Sequence, residues 1–237
     1  MAPSGYARGM YLPRHFTWTD LAQIEAFVDA AQSADLVTFD GTRPVATLLP
    51  VIWDRPERLP ADAGHDPDEM AEPGSYGRLL GHIAIANTQW KTAAPGAEAL
   101  AIIRGPQAYI SPAWYEAKAR HGRVVPTWNY ETVHLSGTIA FHQDTEWLRE
   151  LVTRLTRLHE GGREHPWAVT DAPPEYIEGQ LRAIVGVELT ITSVEAKQKL
   201  SQNRSELDRE GVVAGLREEP GLGSAAIADL MAGQLGS

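Results

Sequence analysis

The sequence predicts an α+β fold that is mainly β, an antiparallel barrel of six or seven strands with helices packed outside it. Short runs of β-prone residues occupy the middle of the chain, and helical patterns lie towards its two ends. The runs do not alternate regularly with helices, which argues against a doubly wound parallel sheet. An antiparallel barrel accommodates this order of elements.

The first half of the chain contains one helix and two strands. Apolar residues at helical spacing predict a helix over 21–31, after Thr17 and Asp20, which resemble a capping box. Strands are predicted at 36–39 and 44–52, joined by a loop that begins with Asp-Gly. Residues 54–78 are rich in Pro, Asp, Glu and Gly, which predicts a solvated surface excursion.

The second half of the chain contains the remaining strands and a pair of helices before the last strand. Further strands are predicted at 80–86, 99–104, 108–111, 132–141 and 185–191. Helices are predicted at 147–158, shortly after Pro173-Pro174, at 205–218 and at 225–235. The strand at 185–191 has the cleanest alternation of apolar and polar residues.

Composition excludes several classes of protein. The chain has 237 residues, of which 43% are hydrophobic and 22% charged, as is ordinary for a globular protein. It has no cysteine, which excludes disulfide scaffolds, thiolate metal sites and cysteine nucleophiles. No apolar run approaches the ~18 residues of a membrane helix, and no secretory signal begins the chain, so we expect a cytoplasmic protein. A net charge of -10 makes general affinity for nucleic acid a poor expectation.

Two sequence patterns that are often associated with function do not indicate a site in this chain. Residues 221–226 match the letters of a dinucleotide-binding fingerprint, but they follow Pro220 rather than a strand, so we interpret them as a helix break. The eight histidines never form a His-Glu-x-x-His pair, and we predict no metal site.

Three segments in the middle of the chain combine aromatic and polar side chains. Residues 82–91, 105–115 and 125–130 each place a Trp or Tyr beside hydroxyl or amide groups, the last two in loops that Pro or Gly constrains. One such segment would be explained by an aromatic side chain that plugs the mouth of the barrel. Three of them favour the wall of a pocket for a flat ligand with a polar edge.

A fourth segment, residues 197–204, contains two of the four lysines. It is consistent with a solvated charge run that caps the next helix, with Asn203 or Ser201 as the N-cap. It is equally consistent with an anion site made from two ammonium groups, hydroxyl and amide donors and a helix N-terminus. The spacing favours neither interpretation.

These four segments, together with residues 10–16, resemble the PaiB-like family of FMN-binding negative transcriptional regulators. The match runs from Met10 to about Leu216. It implies a split β-barrel related to the pyridoxamine-phosphate oxidases and flavin reductases, and a homodimer that holds FMN in grooves at the subunit interface. We therefore expect residues 1–9 to be an extension, 10–216 to be one domain with a helical insert at about 147–184, and 217–237 to be a helical tail.

The resemblance also implies which residues contact FMN. In the related oxidases a polar, basic stretch after a strand contacts the flavin phosphate, and the segment that ends in Lys91 occupies that place, although their arginine–lysine pair is represented here by Trp90-Lys91. Strand residues 47–50 would run along the isoalloxazine edge. The predicted cofactor contacts are Thr47, Leu48, Leu49, Pro50, His82, Asn87, Gln89, Trp90, Lys91, Tyr109, Ser111, Trp128, Asn129, Tyr130, Lys199, Ser201, Gln202 and Asn203.

Two classes of function follow from this resemblance. One is a flavin-loaded regulator that acts on transcription through DNA or through a protein partner. The other is an FMN-dependent oxidoreductase, similar to a flavin reductase or a pyridoxamine-phosphate oxidase, that acts on a small substrate. In the second class the flavin carries the chemistry, and His82, Tyr130 and His134 are candidate proton donors.

Overall fold

A computed structural model describes residues 9–56, 74–219 and 221–235. Its strands are β1 (Ser33–Phe39), β2 (Pro44–Asp54), β3 (Arg78–Ala84), β4 (Glu98–Ile110), β5 (Thr127–His142) and β6 (Ile184–Lys199). All pairs are antiparallel, and the strands form a closed barrel in the order β1-β2-β3-β6-β5-β4. The predicted antiparallel α+β barrel is therefore confirmed.

Seven α-helices flank the barrel within the described ranges. They are α1 (Leu21–Ala31), α2 (Gln89–Thr92), α3 (Glu116–His121), α4 (Thr145–Glu160), α5 (Pro174–Leu181), α6 (Glu206–Glu218) and α7 (Ser224–Gly233). Single 3-10 turns lie at Pro112–Trp114 and Val169–Asp171. None of the helices in the described part of the chain is long and apolar enough to cross a membrane.

The barrel core follows from the alternation of side chains along each strand. Every second residue, such as Leu36, Leu49 and Leu135, points inward and is almost fully buried. Helix α1 adds Ile24 and Val28 to the same core. Burying so much aliphatic surface stabilises the barrel, at about 25 cal/mol for each Å² removed from water.

The barrel closes through a short pairing of β2 with β3. Strand β2 pairs with β1 along its first seven residues, whereas β3 pairs with β2 only over residues 51–54. Within the described residues, no strand pairs with the other side of residues 44–50. The backbone of β2 therefore has an open edge along this stretch.

Helices cover two other parts of the sheet. Helix α4 packs Leu151 and Leu155 on Leu80 of β3. Its Trp147 lies so close to Gly186 that a Cβ there would come within 2.1 Å of the indole ring. Helices α6 and α7 form a second core with the far ends of β4 and β6, built from Ala108, Ile110, Leu200, Val212, Leu216, Ile227 and Met231.

The structure corrects several details of the sequence prediction. The predicted strands 99–104 and 108–111 are one strand, β4, with a bulge between Arg104 and Gln107. Strand β6 continues to Lys199, so the next helix begins later, with Ser205 as its N-cap in place of Asn203 or Ser201. The N-cap of α1 is Asp20. Residues 1–8 and 57–73 lie outside the described residues.

Candidate functional site

One face of the barrel wall has none of the described helices packed on it. The outward-pointing residues Leu48, Asp35, Ile102, His134 and Glu195 lie in register across β2, β1, β4, β5 and β6. The next row of the same register consists of Ala46, Val37, Leu100, Ser136 and Ser193. None of these side chains belongs to a buried cluster of the described chain. We call this surface, with the outward residues that continue it along the same strands, the outer face.

The outer face is apolar on β1 and β2. Leu48 is 68% exposed and Phe39 is 55% exposed, and Pro44, Ala46 and Pro50 are exposed beside them. These residues form a contiguous apolar patch along the open edge of β2. Such patches on a single chain mark sites of interaction.

The other end of the outer face is aromatic and basic. Tyr130 faces Lys199 across the β5–β6 pair, and exposed Trp128 makes an edge-to-face contact with Tyr109. The ammonium of Lys199 donates to Thr127 Oγ1 over 2.5 Å and also to the Trp128 carbonyl. Burial lowers the pKa of Lys199, and the positive charges of Lys197 and Arg204 lower it further. This end therefore concentrates cations in an acidic chain.

Residues near the N-terminus cross the outer face at β6. The Met10 N–H donates to Glu195 over 2.9 Å, and the ammonium of Lys197 donates to the Tyr11 carbonyl over 2.8 Å. Burial raises the pKa of Glu195. Burial, and secondarily the charge of Lys197, lowers the pKa of His134, which favours the neutral imidazole.

A second group of predicted residues lies at the end of the barrel beside the open edge of β2. The Asn87 amide donates to Thr47 Oγ1 over 2.9 Å. Gln89 is fully buried, and its amide donates to Thr38 Oγ1 over 3.0 Å and to two backbone carbonyls of β1 and β2. The adjacent Lys91 is exposed, with its ammonium 5.0 Å from the centre of the Trp90 ring. Gln89 thus anchors α2, which presents Lys91 to solvent.

A third group faces α6 and α7 on the opposite surface of the strands. Asn129 and Ser201 are buried and exchange hydrogen bonds of 3.0 and 3.2 Å. Ser201 has a φ of 62°, in the left-handed region, at the turn that follows β6. Gln202 donates to the Gln198 carbonyl over 2.6 Å, and Asn203 is exposed.

The remaining predicted residues are separate from one another. Leu49 points into the barrel core, and Ser111 caps the 3-10 turn after β4. His82 pairs with Gly186 across β3 and β6, and Trp147 of α4 lies against Gly186. Burial lowers the pKa of His82. The structure therefore places Tyr130 and His134 on the outer face but His82 on another side of the barrel.

The sequence interpretation missed some residues of the outer face. Lys197 was interpreted as part of a charge run or an anion site before the next helix, and Glu195 was assigned to no site, because the predicted last strand ended at residue 191. The signal was present: buried Val194 and Ala196 alternate with charged residues up to Lys199. Tyr11 and Phe16, whose rings lie 5.3 and 5.8 Å from the ammonium groups of Lys197 and Lys199, carry no such signal.

The outer face has the chemical features that FMN requires. The isoalloxazine ring needs a flat or apolar neighbour, which Leu48 or Trp128 provides, and its pyrimidine edge needs donors and acceptors, which the open backbone edge of β2 provides. The phosphate needs a cation, and exposed Lys91 and partly buried Lys199 flank the two ends of the face. The residues present fit the cofactor.

Comparisons with solved structures agree with this architecture. The flavocytochrome Anf3 from Azotobacter vinelandii superposes with a TM-score of 0.51 at 14% identity, over 79% of this chain and 72% of that one. A conserved hypothetical protein, Rv2991 from Mycobacterium tuberculosis, gives a TM-score of 0.50 at 11% identity, over 80% of this chain and 90% of that one. At such low identity these matches show a shared fold. The fold is therefore that of a split-barrel protein, and its outer face is a surface that fits a flavin.

Sequence comparisons then identify the family. Residues 10–193 match the family described as "Putative FMN-binding domain". The "Protease synthase and sporulation protein PAI 2" of Bacillus subtilis is 30% identical over 226 residues, which cover 95% of this chain and 98% of that protein. An uncharacterised protein of Aspergillus fumigatus is 32% identical over 212 residues, which cover 75% of this chain and 78% of that one. The chain belongs to this FMN-binding family, is PaiB-like, and has FMN as its cofactor.

Proposed function

We propose that this protein is an FMN-binding homodimer in which the outer faces of two chains meet and hold the cofactor between them. The observation that carries the proposal is the exposed apolar patch of Phe39, Leu48 and their neighbours beside the open edge of β2. A second copy of the chain would bury this patch. The backbone edge would then be left for the polar rim of the flavin.

Specific residues are assigned to specific parts of the cofactor. Lys91 holds the phosphate, and the backbone of residues 46–50 lies along the pyrimidine edge. Trp128 or Tyr109 of one chain packs against the flat ring of the FMN whose phosphate Lys91 of the other chain holds, because the two groups lie at opposite ends of one outer face. When bound, FMN supplies redox chemistry, and the protein orients it and sets the electrostatics around it. Asn129 and Ser201 are hydrogen-bonded to each other beneath α7. If either residue contacts FMN, these hydrogen bonds must rearrange.

We assign a regulatory role to the flavin-loaded dimer, as a negative regulator of transcription. The resemblance of residues 10–16 and of the four aromatic or basic segments to the PaiB-like family of negative transcriptional regulators supports this assignment, and PAI 2 of Bacillus subtilis aligns over nearly the whole chain. Lys197 is buried and bonded to Tyr11, which makes it a poor contact for DNA. Lys118, Arg120 and Arg123 in and after α3 are exposed, so this short segment is the better basic surface.

A second candidate function is that of an FMN-dependent oxidoreductase. The observation that favours it is the placement of Tyr130 and His134 on the outer face, where either side chain could exchange a proton with a substrate. Rapid mixing of the FMN-loaded protein with NADH or NADPH separates the two functions. Bleaching of the flavin absorbance within a catalytic turnover time supports the oxidoreductase.

Light scattering and a flavin-fluorescence titration test the proposed dimer. We expect a homodimer that takes up as much as one FMN per chain. A monomer that takes up no FMN would overturn the proposal.

A gel-shift assay at two salt concentrations tests direct DNA contact. The double variant Lys118→Glu with Arg123→Glu should lose a salt-sensitive complex while keeping its affinity for FMN. The matched control is Arg163→Glu with Arg217→Glu, which reverses two exposed charges elsewhere. An equal loss of DNA binding in both double variants would show that binding depends only on the overall charge of the protein. No complex with any variant or with wild type would assign the regulatory effect to a protein partner.

A further inference from the structure

The helical insert forms a cavity away from the outer face. It has a volume of about 290 Å³ and lies between α4 and the segment that runs from Trp167 to Ile177. Helix α4 packs on the β3 side of the barrel, around Leu80, rather than on the outer face. This volume is just below the range of about 300–1,000 Å³ that is usual for small-molecule sites. The cavity therefore suits a small ligand.

Both walls of this cavity are built by local structure. One wall is a single stripe of α4, because Arg149, Thr153, Thr156 and Arg157 recur at helical spacing. The other wall is the 3-10 turn at 169–171, which is held by a hydrogen bond of 2.8 Å from the Ala168 N–H to Asp171. The cavity is thus formed before any ligand arrives.

The charges that line the cavity are positive. Of the residues that the structure describes, two arginines line it and no carboxylate does. Arg149 forms an ion pair with Glu178 of α5, which neutralises it. Arg157 has no hydrogen bond or ion pair from its guanidinium to any residue in the described part of the chain. Within the described residues Arg157 is thus a cation without a counter-charge, in a chain whose net charge is -10.

The spacing of the arginines limits the charge of the ligand. They lie eight residues apart on α4, which is about 12 Å along a helix axis. Arg149 is already paired with Glu178, so among the described residues only Arg157 is left to pair with a ligand. A guanidinium binds a carboxylate through two parallel hydrogen bonds. A single carboxylate therefore matches the site better than a phosphate dianion does.

An aromatic surface lies at the same end of the cavity as Arg157. The Trp167 N–H donates over 3.2 Å to Glu160, which is in the last turn of α4 with Arg157. The Trp167 side chain is exposed, and Ile177 supplies an apolar floor. Thr156 and Thr170 add hydroxyl groups that can donate or accept. We propose that the cavity binds a small aromatic monocarboxylate, with its carboxylate on Arg157 and its ring against Trp167.

Nuclear magnetic resonance of the tryptophan indole groups tests this site in the full-length, FMN-loaded protein. The Trp167 signal is assigned with Trp167→Phe, and the probes are benzoate, phenylacetate and indole-3-acetate, each beside its neutral amide. We expect at least one acid to shift the Trp167 signal in a saturable manner and its amide to bind at least tenfold more weakly. Arg157→Gln should weaken the acid at least tenfold and leave the amide unchanged.

The matched control is Arg163→Gln, an exposed arginine that pairs with Glu160 and does not line the cavity. It should bind the acids as wild type does. The proposal is overturned if none of the three acids shifts the Trp167 signal, or if Arg157→Gln binds the acids with unchanged affinity. Retained affinity for FMN in every variant shows that the barrel is still folded.

Discussion

Two stretches of strand β2 have similar side chains and opposite surroundings. Ile52 is partly buried and packs against the cluster of Leu80 of β3 with Leu151 and Leu155 of α4. Leu48, only four residues earlier and pointing to the same side of the strand, is 68% exposed. The difference is the covering helix and not the residue type. An apolar strand face that the described residues leave uncovered favours a partner from outside, and this is the basis of the proposed dimer.

The side of β2 that α4 covers should contribute to the stability of the fold, and Leu151→Ala is the strongest test of this. Leu151 is 2% exposed, so the truncation leaves a cavity between α4 and β3. We expect the free energy of unfolding to fall by about 2–5 kcal/mol. Urea denaturation measures the loss. The variant should remain dimeric with unchanged FMN affinity, and a loss of dimer at a temperature where it is folded would contradict the comparison.

The uncovered side of β2 should form the dimer interface, and Leu48→Arg tests this. A charge introduced at an apolar interface should raise the dimer dissociation constant at least a hundredfold, about 3 kcal/mol. Because Leu48 is exposed in the single chain, the stability of the monomer should change by less than about 0.5 kcal/mol. Sedimentation equilibrium gives the first quantity and urea denaturation the second. A stable dimer in this variant would place the interface elsewhere.

The end of the outer face beside α2 is tested by Lys91→Ala. The exposed ammonium should contribute about 1.5–3 kcal/mol to FMN binding, the range for hydrogen bonds to charged groups. Riboflavin lacks the phosphate, so wild type and variant should bind it almost equally. Flavin-fluorescence titration measures both ligands, with Lys118→Ala as the control for loss of a lysine. Equal loss of riboflavin and FMN would make Lys91 structural.

The smallest effect on stability is expected for Glu131, on the inward face of β5. Glu131 is buried and accepts a hydrogen bond from Gln198, and burial raises its pKa above the ordinary value of 4.5. Between that value and the raised one the folded state binds more protons than the unfolded state, so stability falls as the pH rises. Glu131→Gln keeps an acceptor and removes the charge.

Relative to wild type, Glu131→Gln should therefore be unchanged below the ordinary carboxyl pKa and more stable above it. Thermal unfolding between pH 4 and pH 8 measures this difference. Glu98→Gln, at an exposed position of β4, is the control. A difference that does not depend on pH would mean that Glu131 acts through its shape alone.

Local patterns predicted most of the strands and left their lengths open. The strands at 36–39, 44–52 and 185–191 lie within β1, β2 and β6, because alternation marks a strand wherever one of its faces is buried. Strand β4 was divided in two because Gly105 and Pro106 are typical of a turn. In the barrel these residues form a bulge, since the long neighbouring strand β5 pairs on both sides of it.

The candidate site was predictable only where it is local. The segment from Asn87 to Lys91 follows a strand both in the sequence prediction and in the structure, where a turn separates it from β3. Asn129 and Ser201 were expected to face the cofactor, and their hydrogen bond links residues 72 positions apart. No pattern within a short stretch indicates which of two distant polar groups will meet. Contact of any of these residues with FMN stays a prediction.

The sequence by itself determined that this chain forms strands with two unlike faces, and its motifs determined the FMN-binding family. Alternation specifies that Leu48 and Leu49 point to opposite sides of β2, because successive side chains on a strand must do so. Only the tertiary structure decided which side is covered. That choice depends on where α1, α4, α6 and α7 pack, and their positions follow from contacts between residues far apart in the chain.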